Sequence, residues 1–216
     1  MLLNLFNNND SFWRGNILIK VLNLYAGIGG NRKLWPEECE VTAVENNPEI
    51  AKIYQDFFPE DKVIIGDAHQ YLLNHYKEFD FIWASPPCPT HSVLNYSMPL
   101  KRYPSMVLYQ EIIFLKNWFK GKWVMENVKP YYDPLIKPHV YMGRHIFWSN
   151  FFIQGKEFSN IDVARSTTEE LAADLDFPVP KCQKARLLLR NCVKPEMALH
   201  IFNMAFKEKQ VKLIDE

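Results

Sequence analysis

The sequence has no CxxC pair, no HxxxH spacing and no apolar run near the ~20 residues that a membrane-spanning helix needs. Its four cysteines, Cys39, Cys88, Cys182 and Cys192, stand at unrelated spacings. The opening residues MLLNLFNNND lack the basic segment that begins a secretory leader. These absences predict reduced thiols in a cytoplasmic protein, and they argue against a zinc site, any other metal and a membrane anchor.

The chain also lacks a net charge, because 25 Lys and Arg balance 25 Asp and Glu, but the two signs are unevenly distributed. Residues 37–80 hold eleven acidic residues and three lysines, whereas residues 81–156 hold nine basic residues and three acidic ones. Residues 181–194 hold five basic residues and no acidic one. A solvated surface explains any single run, while the asymmetry between halves indicates a face that a polyanion could meet.

The order of the predicted elements indicates an α/β fold. Strand-like runs alternate with helical spacings through the first 130 residues, which predicts a mostly parallel central sheet with helices on both faces. We expect one domain spanning 1–216, with 1–16 as an N-terminal extension. The predicted strands begin at 17, 40, 62, 80, 122 and 145, and the predicted helices begin at Pro48, after Asp67, and span 105–119, 167–175 and 195–209.

Unusual residues follow the predicted strands at their carboxyl ends, where ligands bind in sheets of this kind. The loop AGIGG and Glu45 together indicate an adenosine-containing cofactor, since glycine allows close backbone approach and an acid at the second strand end typically binds ribose hydroxyls. The glycines also suit a tight strand-to-helix turn. Asp67 is either an acceptor for an adenine amino group or the N-cap of the following helix.

Cys88 lies in a segment that is stiffened by Pro86, Pro87 and Pro89. Proline fixes φ and removes a backbone donor, so this segment is predicted to be a rigid loop at a strand end. Its thiol is either a small buried hydrophobe or a positioned nucleophile. Glu126, in WVMEN, is a capping acid or, if desolvated, a proton donor that acts with Cys88. The six histidines are interpreted as surface residues or hydrogen-bonded core residues.

These segments, in this order, resemble the motifs of the cytosine-C5 DNA methyltransferases. NLYAGIGG is similar to their first cofactor motif, VTAVENNPEIAKIY to the second and GDAHQY to the third. PPC resembles their nucleophile motif, MENV their Glu-Asn-Val motif, and RNCV a degenerate late Gly-Asn-x-Val motif. SMVLYQE falls where the next cofactor-contacting helix begins. The resemblance covers 18–150 and 188–206, and it implies a Rossmann-like S-adenosylmethionine-dependent methyltransferase fold.

The resemblance assigns roles position by position. Cys88 would attack C6 of the target cytosine, Glu126 would protonate or hydrogen-bond N3, and Arg144 would contact the base or a phosphate. Pro87 would line the methyl donor and Tyr25 would stack near its adenine. The implied contacts to S-adenosylmethionine are Tyr25, Ala26, Gly27, Ile28, Gly29, Gly30, Glu45 on the ribose, Asn46, Asp67 on the adenine, Ala68, Pro87, Val107, and Asn191 and Val193, which would close the pocket.

The implied activity is methyl transfer from S-adenosylmethionine to C5 of a cytosine flipped out of DNA, through a bond from Cys88 to C6. This chemistry calls for a lowered pKa of the Cys88 thiol and for a carboxyl that keeps its proton. A restriction–modification role would fit. The alternatives are a tRNA-type RNA cytosine-C5 methyltransferase, a non-catalytic binder of cofactor and DNA, and a nicotinamide-dependent dehydrogenase, which leaves PPC and ENV unexplained.

Three departures from the family pattern bear on specificity. Pro89 follows Cys88 where many members carry Gln, and MGRHIF keeps only Arg144 of a QxRxR motif. Residues 155–188 are too few for the target-recognition domain that sequence-reading members carry there. We therefore predict short or relaxed sequence specificity, supplied by a protein partner or by the loop 89–105.

Overall fold

The computed structural model describes residues 18–93, 95, 102–159 and 161–207. The predicted N-terminal extension lies outside this part of the chain, and so do residues 94 and 96–101 of the predicted loop 89–105.

The described residues form one seven-stranded sheet with six α-helices. The strands are β1 Ile19–Leu24, β2 Cys39–Glu45, β3 Lys62–Ile65, β4 Phe81–Ala84, β5 Lys122–Val128, β6 Val140–Met142 and β7 His145–Ser149. The helices are α1 Pro48–Phe57, α2 Ala68–His75, α3 Val107–Trp118, α4 Thr168–Leu175, α5 Ala185–Arg190 and α6 Pro195–Ala205.

The strand order is β3-β2-β1-β4-β5-β7-β6, in which β1 to β5 are parallel and β7 is antiparallel to both β5 and β6. The central strands are buried on both faces, and successive residues alternate between two apolar clusters. In β1, Val21 packs in the cluster under α6, whereas Leu22 and Leu24 pack in the cluster under α2 and α3. This is the Rossmann-like methyltransferase fold, with helices on both faces, that the sequence predicts.

The helix ends follow local chemistry that can be read from the sequence. Pro48 occupies the first turn of α1 behind the N-cap Asn47, and Thr167 and Glu170 form a reciprocal capping box at α4. The helix predicted over 195–209 ends at Ala205. Helix α5 was not predicted, because six residues are too short to show a helical period.

Residues 155–188 hold α4 and the start of α5, which together cover α1. Leu171 and Leu175 of α4 pack with Leu188 of α5 in one apolar cluster, and Phe57 and Phe177 contact each other beside them. This segment is therefore part of the core.

No helix in the described part of the chain is both long and apolar enough to cross a bilayer. Within the same residues, no group of three or more His, Cys, Asp or Glu side chains converges as a metal site would require. All four cysteines are free thiols.

Candidate active site

The carboxyl ends of the parallel strands meet along one edge of the sheet. In the register, Leu24 of β1 lies beside Val44 of β2 and Ala84 of β4, and Ala84 lies beside Met125 of β5. Directly after these positions come the glycine loop (residues 26–30), Glu45, the Cys88 loop (residues 85–89) and Glu126. The fold thus brings together the groups that the sequence places at strand ends.

The Cys88 loop is neither helix nor strand, as predicted, and it is held by backbone and side-chain hydrogen bonds. The backbone N–H groups of His91 and Ser92 both donate to the carbonyl of Cys88, at 2.9 Å each. The amide of Asn127 donates to the carbonyl of Pro86 at 2.9 Å. These bonds fix the loop on both sides of the half-buried Cys88 thiol.

Burial raises the pKa of the Cys88 thiol, the negative charge of Glu126 raises it further, and the positive charge of Arg144 opposes both effects. The predicted lowering of this pKa is therefore wrong for the chain alone. The thiol carries its proton at rest, so the proton must leave as the sulfur attacks. The coupling also shows that Cys88, Glu126 and Arg144 share one electrostatic environment.

Glu126 is buried on β5 and pairs with a histidine that the sequence did not single out. Its Oε1 lies 2.6 Å from Nδ1 of His145, and the two side chains are 9% and 6% exposed. Glu126 is opposite Phe147 on β7, and His145 is opposite Val128. The two side chains therefore project from the same face at diagonal positions within contact range.

Arg144 lies in the turn between β6 and β7 and anchors a distant segment. Its guanidinium donates to the carbonyl oxygens of Arg190 and Cys192. Burial lowers the pKa of Arg144, while the charges of Glu126 and Cys88 counteract that effect. The predicted contact of Arg144 with base or phosphate remains a prediction, since two carbonyls already hold one of its nitrogens.

The glycine loop leaves room for a ligand beside a fixed carboxylate. Gly27 has φ +56°, and a Cβ added there would meet no atom of the described residues within 4 Å. Glu45 accepts from the backbone N–H of Gly27 at 3.1 Å and from that of Asn47 at 2.9 Å. Each carboxylate oxygen retains a lone pair for a ribose hydroxyl. The open space and the oriented acid fit the adenosine-containing cofactor.

Tyr25, which follows β1 and has φ +56°, forms a hydrogen bond to a buried acid on α3. Its hydroxyl donates to Glu111 Oε1 at 2.5 Å, and Nδ1 of His69 lies 3.0 Å from the same oxygen. Glu111 is fully buried, and its Oε2 has no hydrogen-bond partner. Burial raises the pKa of Glu111, and the hydrogen bonds from Tyr25 and His69 partly offset this. The sequence signal that could have identified Glu111 is an acidic residue on the apolar face of α3.

The other predicted cofactor residues occupy different environments around the loop. Asp67 is exposed and caps α2 by accepting from the N–H of Gln70 at 3.0 Å, so the capping alternative is realised. Its second oxygen is not used by that bond. Asn46 and Pro87 are exposed, Val107 is half-buried at the start of α3, and Ala26 and Ala68 are buried.

The segment 191–193 lies against the glycine loop through the side chain of Cys192 and the backbone of Val193. A Cβ on Gly30 would come within 2.9 Å of the Val193 carbonyl oxygen and 2.6 Å of Cys192 Cβ, so only glycine fits there. Asn191 is exposed, whereas the side chains of Val193 and Ile28 are buried in apolar clusters. Ile28 and Val193 would therefore contact a cofactor through backbone atoms.

Two of the basic residues between 181 and 194 stabilise the fold. Arg186 donates to the carbonyls of Ser166 and Ala164, and Lys194 forms an ion pair of 2.8 Å with Asp174. The sequence predicted either a solvated surface or a face for a polyanion in this stretch, and neither interpretation holds for Arg186 and Lys194.

Several solved structures are similar to this chain. One is a triple mutant of Spodoptera frugiperda DNMT2, which is 30% identical in sequence. The match covers 51% of this chain and 36% of the DNMT2 chain, with a TM-score of 0.37. A conserved hypothetical protein from Streptococcus pyogenes is 20% identical over 61% and 84%, with a TM-score of 0.43. A SAM-dependent methyltransferase from Agrobacterium tumefaciens is 14% identical over 53% and 40%, with a TM-score of 0.41. No curated protein matches the sequence.

The model of one protein family, C-5 cytosine-specific DNA methylase, matches residues 19–134, more than half of the 216 residues. The matched region contains the glycine loop, Glu45, Cys88 and Glu126. The chain belongs to the C-5 cytosine-specific DNA methylase family, whose chemistry is methyl transfer to cytosine from S-adenosylmethionine.

Proposed function

We propose that this protein methylates C5 of cytosine in DNA through a covalent bond between the Cys88 sulfur and C6 of the base. The observation that carries the proposal is the shared environment of Cys88 and Glu126 at the ends of the neighbouring strands β4 and β5. A nucleophile and a proton donor are the two groups that this substitution requires from the protein.

The two residues solve a specific chemical problem. C5 of cytosine is a poor nucleophile until a group adds at C6 and N3 takes a proton. Cys88 forms the bond to C6 and Glu126 supplies the proton to N3, which makes C5 enamine-like. The proton of the Cys88 thiol passes to water as the sulfur bonds to C6. Once C5 carries the methyl group, the C5 proton passes to water, the bond between sulfur and C6 breaks, and N3 returns its proton to Glu126, which restores the ring. Covalent catalysis thus replaces one difficult step by easier ones.

The cofactor, when bound, supplies an electrophilic methyl group on a sulfonium. Glu45 would accept from its ribose hydroxyls, the open space beside Gly27 would admit its methionine portion, and Tyr25 would contact its adenine. The hydrogen bond to Glu111 sets the position of the Tyr25 ring before any ligand arrives.

DNA is the proposed substrate, and its target base must leave the helix to reach a half-buried thiol. The single catalytic domain spans 1–216 in this proposal, and its segment 155–188 belongs to the core. A zero net charge implies modest binding that weakens with salt. Sequence recognition would then come from the loop 89–105 or from a protein partner.

The test is nucleoside analysis by mass spectrometry after incubation with S-adenosylmethionine and either unmodified duplex DNA or RNA. Cys88→Ala is compared with Cys182→Ala, which removes a half-buried thiol outside the site. The proposal expects 5-methyldeoxycytidine with the wild type and Cys182→Ala only. Methyl transfer to RNA alone would show that RNA, and not DNA, is the substrate. Full activity of Cys88→Ala would overturn the covalent mechanism.

A further inference from the structure

The outer face of α3 carries large apolar side chains that are exposed. Met106 and Ile113 are 51% exposed, Trp118 is 56% exposed, and Leu135, on the segment after β5, is 65% exposed. The inner face of the same helix is buried in the apolar cluster that it shares with α2 and the sheet. A helix that is apolar on both faces is normally covered on both, and a contiguous exposed apolar patch marks a site of contact.

These side chains line one groove between α3 and residues 135–136. The wall opposite α3 is held in place by hydrogen bonds. The backbone N–H of Leu135 donates to the hydroxyl of Tyr109 at 3.2 Å, and the indole N–H of Trp148 donates to the carbonyl of Ile136 at 2.8 Å. The groove is therefore formed before any occupant binds.

The lining sets the chemistry and the length of the occupant. Gln110 and the hydroxyl of Tyr109 are its polar groups, and the described lining includes no charged side chain. The stretch of α3 from Met106 to Trp118 is about 18 Å long, because an α-helix rises about 1.5 Å per residue. An occupant that fills the groove is therefore apolar and uncharged, and roughly six extended residues suffice.

The segment 1–6 of this chain has the composition that the groove requires. Its sequence, MLLNLF, contains five apolar side chains and no charged one, and the polar run NNND follows it. Six extended residues span about 20 Å, which matches the length of the groove.

The segment is connected to the fold at the edge of the sheet where α3 ends. The backbone N–H of Lys20 on β1 donates to the carboxylate of Asp80 at 3.0 Å, and the Asp80 carbonyl accepts from the backbone N–H of Lys122 at 2.9 Å. Lys122 begins β5, directly after α3. The connecting residues 7–17 span up to about 36 Å when extended, so they reach the groove from this edge.

Residues 208–216 start from the other side of the sheet. They follow α6, which packs in the cluster that contains Val21, whereas α3 packs in the cluster that contains Leu22. Neighbouring residues of β1 point to opposite faces, so α6 and α3 lie on opposite faces of the sheet. The segment 1–6 is therefore better placed for the groove than residues 208–216.

We propose that residues 1–6 bind in the groove between α3 and residues 135–136, with residues 7–17 as their connection to β1. The contact is intramolecular, and it does not depend on the methylation chemistry. It gives the outer face of α3 an apolar cover.

The experiment places the photo-crosslinking amino acid p-benzoylphenylalanine at Ile113 of the full chain and, in a second protein, at Leu135. Both side chains are more than half exposed, so the replacements disturb little packing. Each protein is mixed with an isotopically labelled copy of itself, irradiated, digested with trypsin and mapped by mass spectrometry. We expect both positions to crosslink to the tryptic peptide 1–14, with both joined peptides from the same copy.

Val179 is the control position for the crosslinker, because it is an exposed apolar residue on the segment after α4. It should give no crosslink to peptide 1–14. Replacing Leu5 and Phe6 together by asparagine should lower the crosslink yield from position 113 about tenfold, because two apolar side chains no longer favour burial. Asn8→Ser with Asn9→Ser is the matched control and should leave the yield unchanged.

Three outcomes would overturn the proposal. Crosslinks to peptide 1–14 that join only labelled to unlabelled copies would assign the groove to a second copy of the chain. Crosslinks to residues 94–101 or 208–216 in place of peptide 1–14 would assign it to another segment. Absence of peptide 1–14 from the crosslinks of both positions would show that residues 1–6 do not bind there.

Discussion

The side-chain amide of Asn127 donates a hydrogen bond of 2.9 Å to the carbonyl oxygen of Pro86, and both groups are buried. Asn127 follows Glu126 on β5, and Pro86 precedes Cys88 by two residues. One strand end therefore sets the position of the acid through its backbone and the position of the nucleophile loop through a side chain. The separation of the two reactive groups depends on this bond and on the stiffness of the loop.

Replacing Pro87 and Pro89 together by alanine tests that stiffness. Both prolines are exposed, so the change removes little packing and should shift the free energy of unfolding by about 0.5 kcal/mol or less. We expect kcat to fall by roughly tenfold or more, because the Cys88 thiol is no longer held in one position relative to the target base. Pro59→Ala, at an exposed proline after α1, is the control. Equal losses of stability and turnover would contradict this role, as would unchanged turnover.

Glu126→Gln should make Cys88 more reactive while it slows methyl transfer. Glu126 contributes to the raised pKa of Cys88, so removing its charge increases the thiolate fraction at pH 7.5. Alkylation of Cys88 by iodoacetamide, followed by peptide mass spectrometry, should accelerate about threefold to tenfold. Arg144→Gln should slow it, because Arg144 lowers this pKa.

Cys182, which is half-buried in the same protein, is the internal reference for that measurement. Its alkylation rate should be equal in all three proteins. The electrostatic account fails if Cys88 in Glu126→Gln reacts no faster than in wild type.

Glu111→Gln should change how stability depends on pH. The folded-state pKa of Glu111 is raised above 4.5, so its stabilising contribution is complete below that pH and is lost as the pH rises through the folded value. Glutamine keeps an acceptor for Tyr25 and does not titrate. Wild type should therefore lose stability relative to Glu111→Gln as the pH rises. The melting temperature of Glu111→Gln minus that of wild type should increase from pH 4.5 to pH 7.

Glu157→Gln serves as the control for this experiment, because Glu157 is exposed on the segment after β7. Its melting temperature should follow that of wild type across the same range. A difference for Glu111→Gln that is independent of pH would show that the buried carboxyl does not titrate as described.

Methylated DNA should show short or relaxed sequence preference. Within the described residues, apolar side chains of the segment 155–188 pack over α1. Sequencing of 5-methylcytosine positions in DNA treated with the purified protein should give a context of very few bases. Methylation confined to a strict six-base site would contradict this expectation.

The fold could be predicted because its signal is local. The β-branched run of β1 and the apolar period of α3 are visible within single segments, and the carboxyl ends of parallel strands coincide in any such sheet. Cys88, Glu45 and Glu126 were therefore found without knowledge of their contacts.

His145 and Glu111 were missed for the opposite reason. His145 acquires its role from the antiparallel register that places it diagonally across from Glu126, and Glu111 acquires its role from Tyr25, 86 residues earlier in the chain. Such pairs depend on the three-dimensional arrangement of distant segments. The raised pKa of Cys88 was missed likewise, since burial of the loop outweighs the nearby Arg144.

The central claim is a covalent bond between Cys88 and cytosine, and trapping that bond tests it most directly. DNA that contains 5-fluorocytosine is incubated with the protein and S-adenosylmethionine, and peptides are then mapped by mass spectrometry. Fluorine cannot leave C5 as a proton does, so the bond between sulfur and C6 cannot break and the adduct accumulates. The account predicts one adduct, at Cys88, that Cys88→Ala abolishes. Formation of 5-methylcytosine in ordinary DNA without a Cys88 adduct on the fluorinated DNA would contradict it.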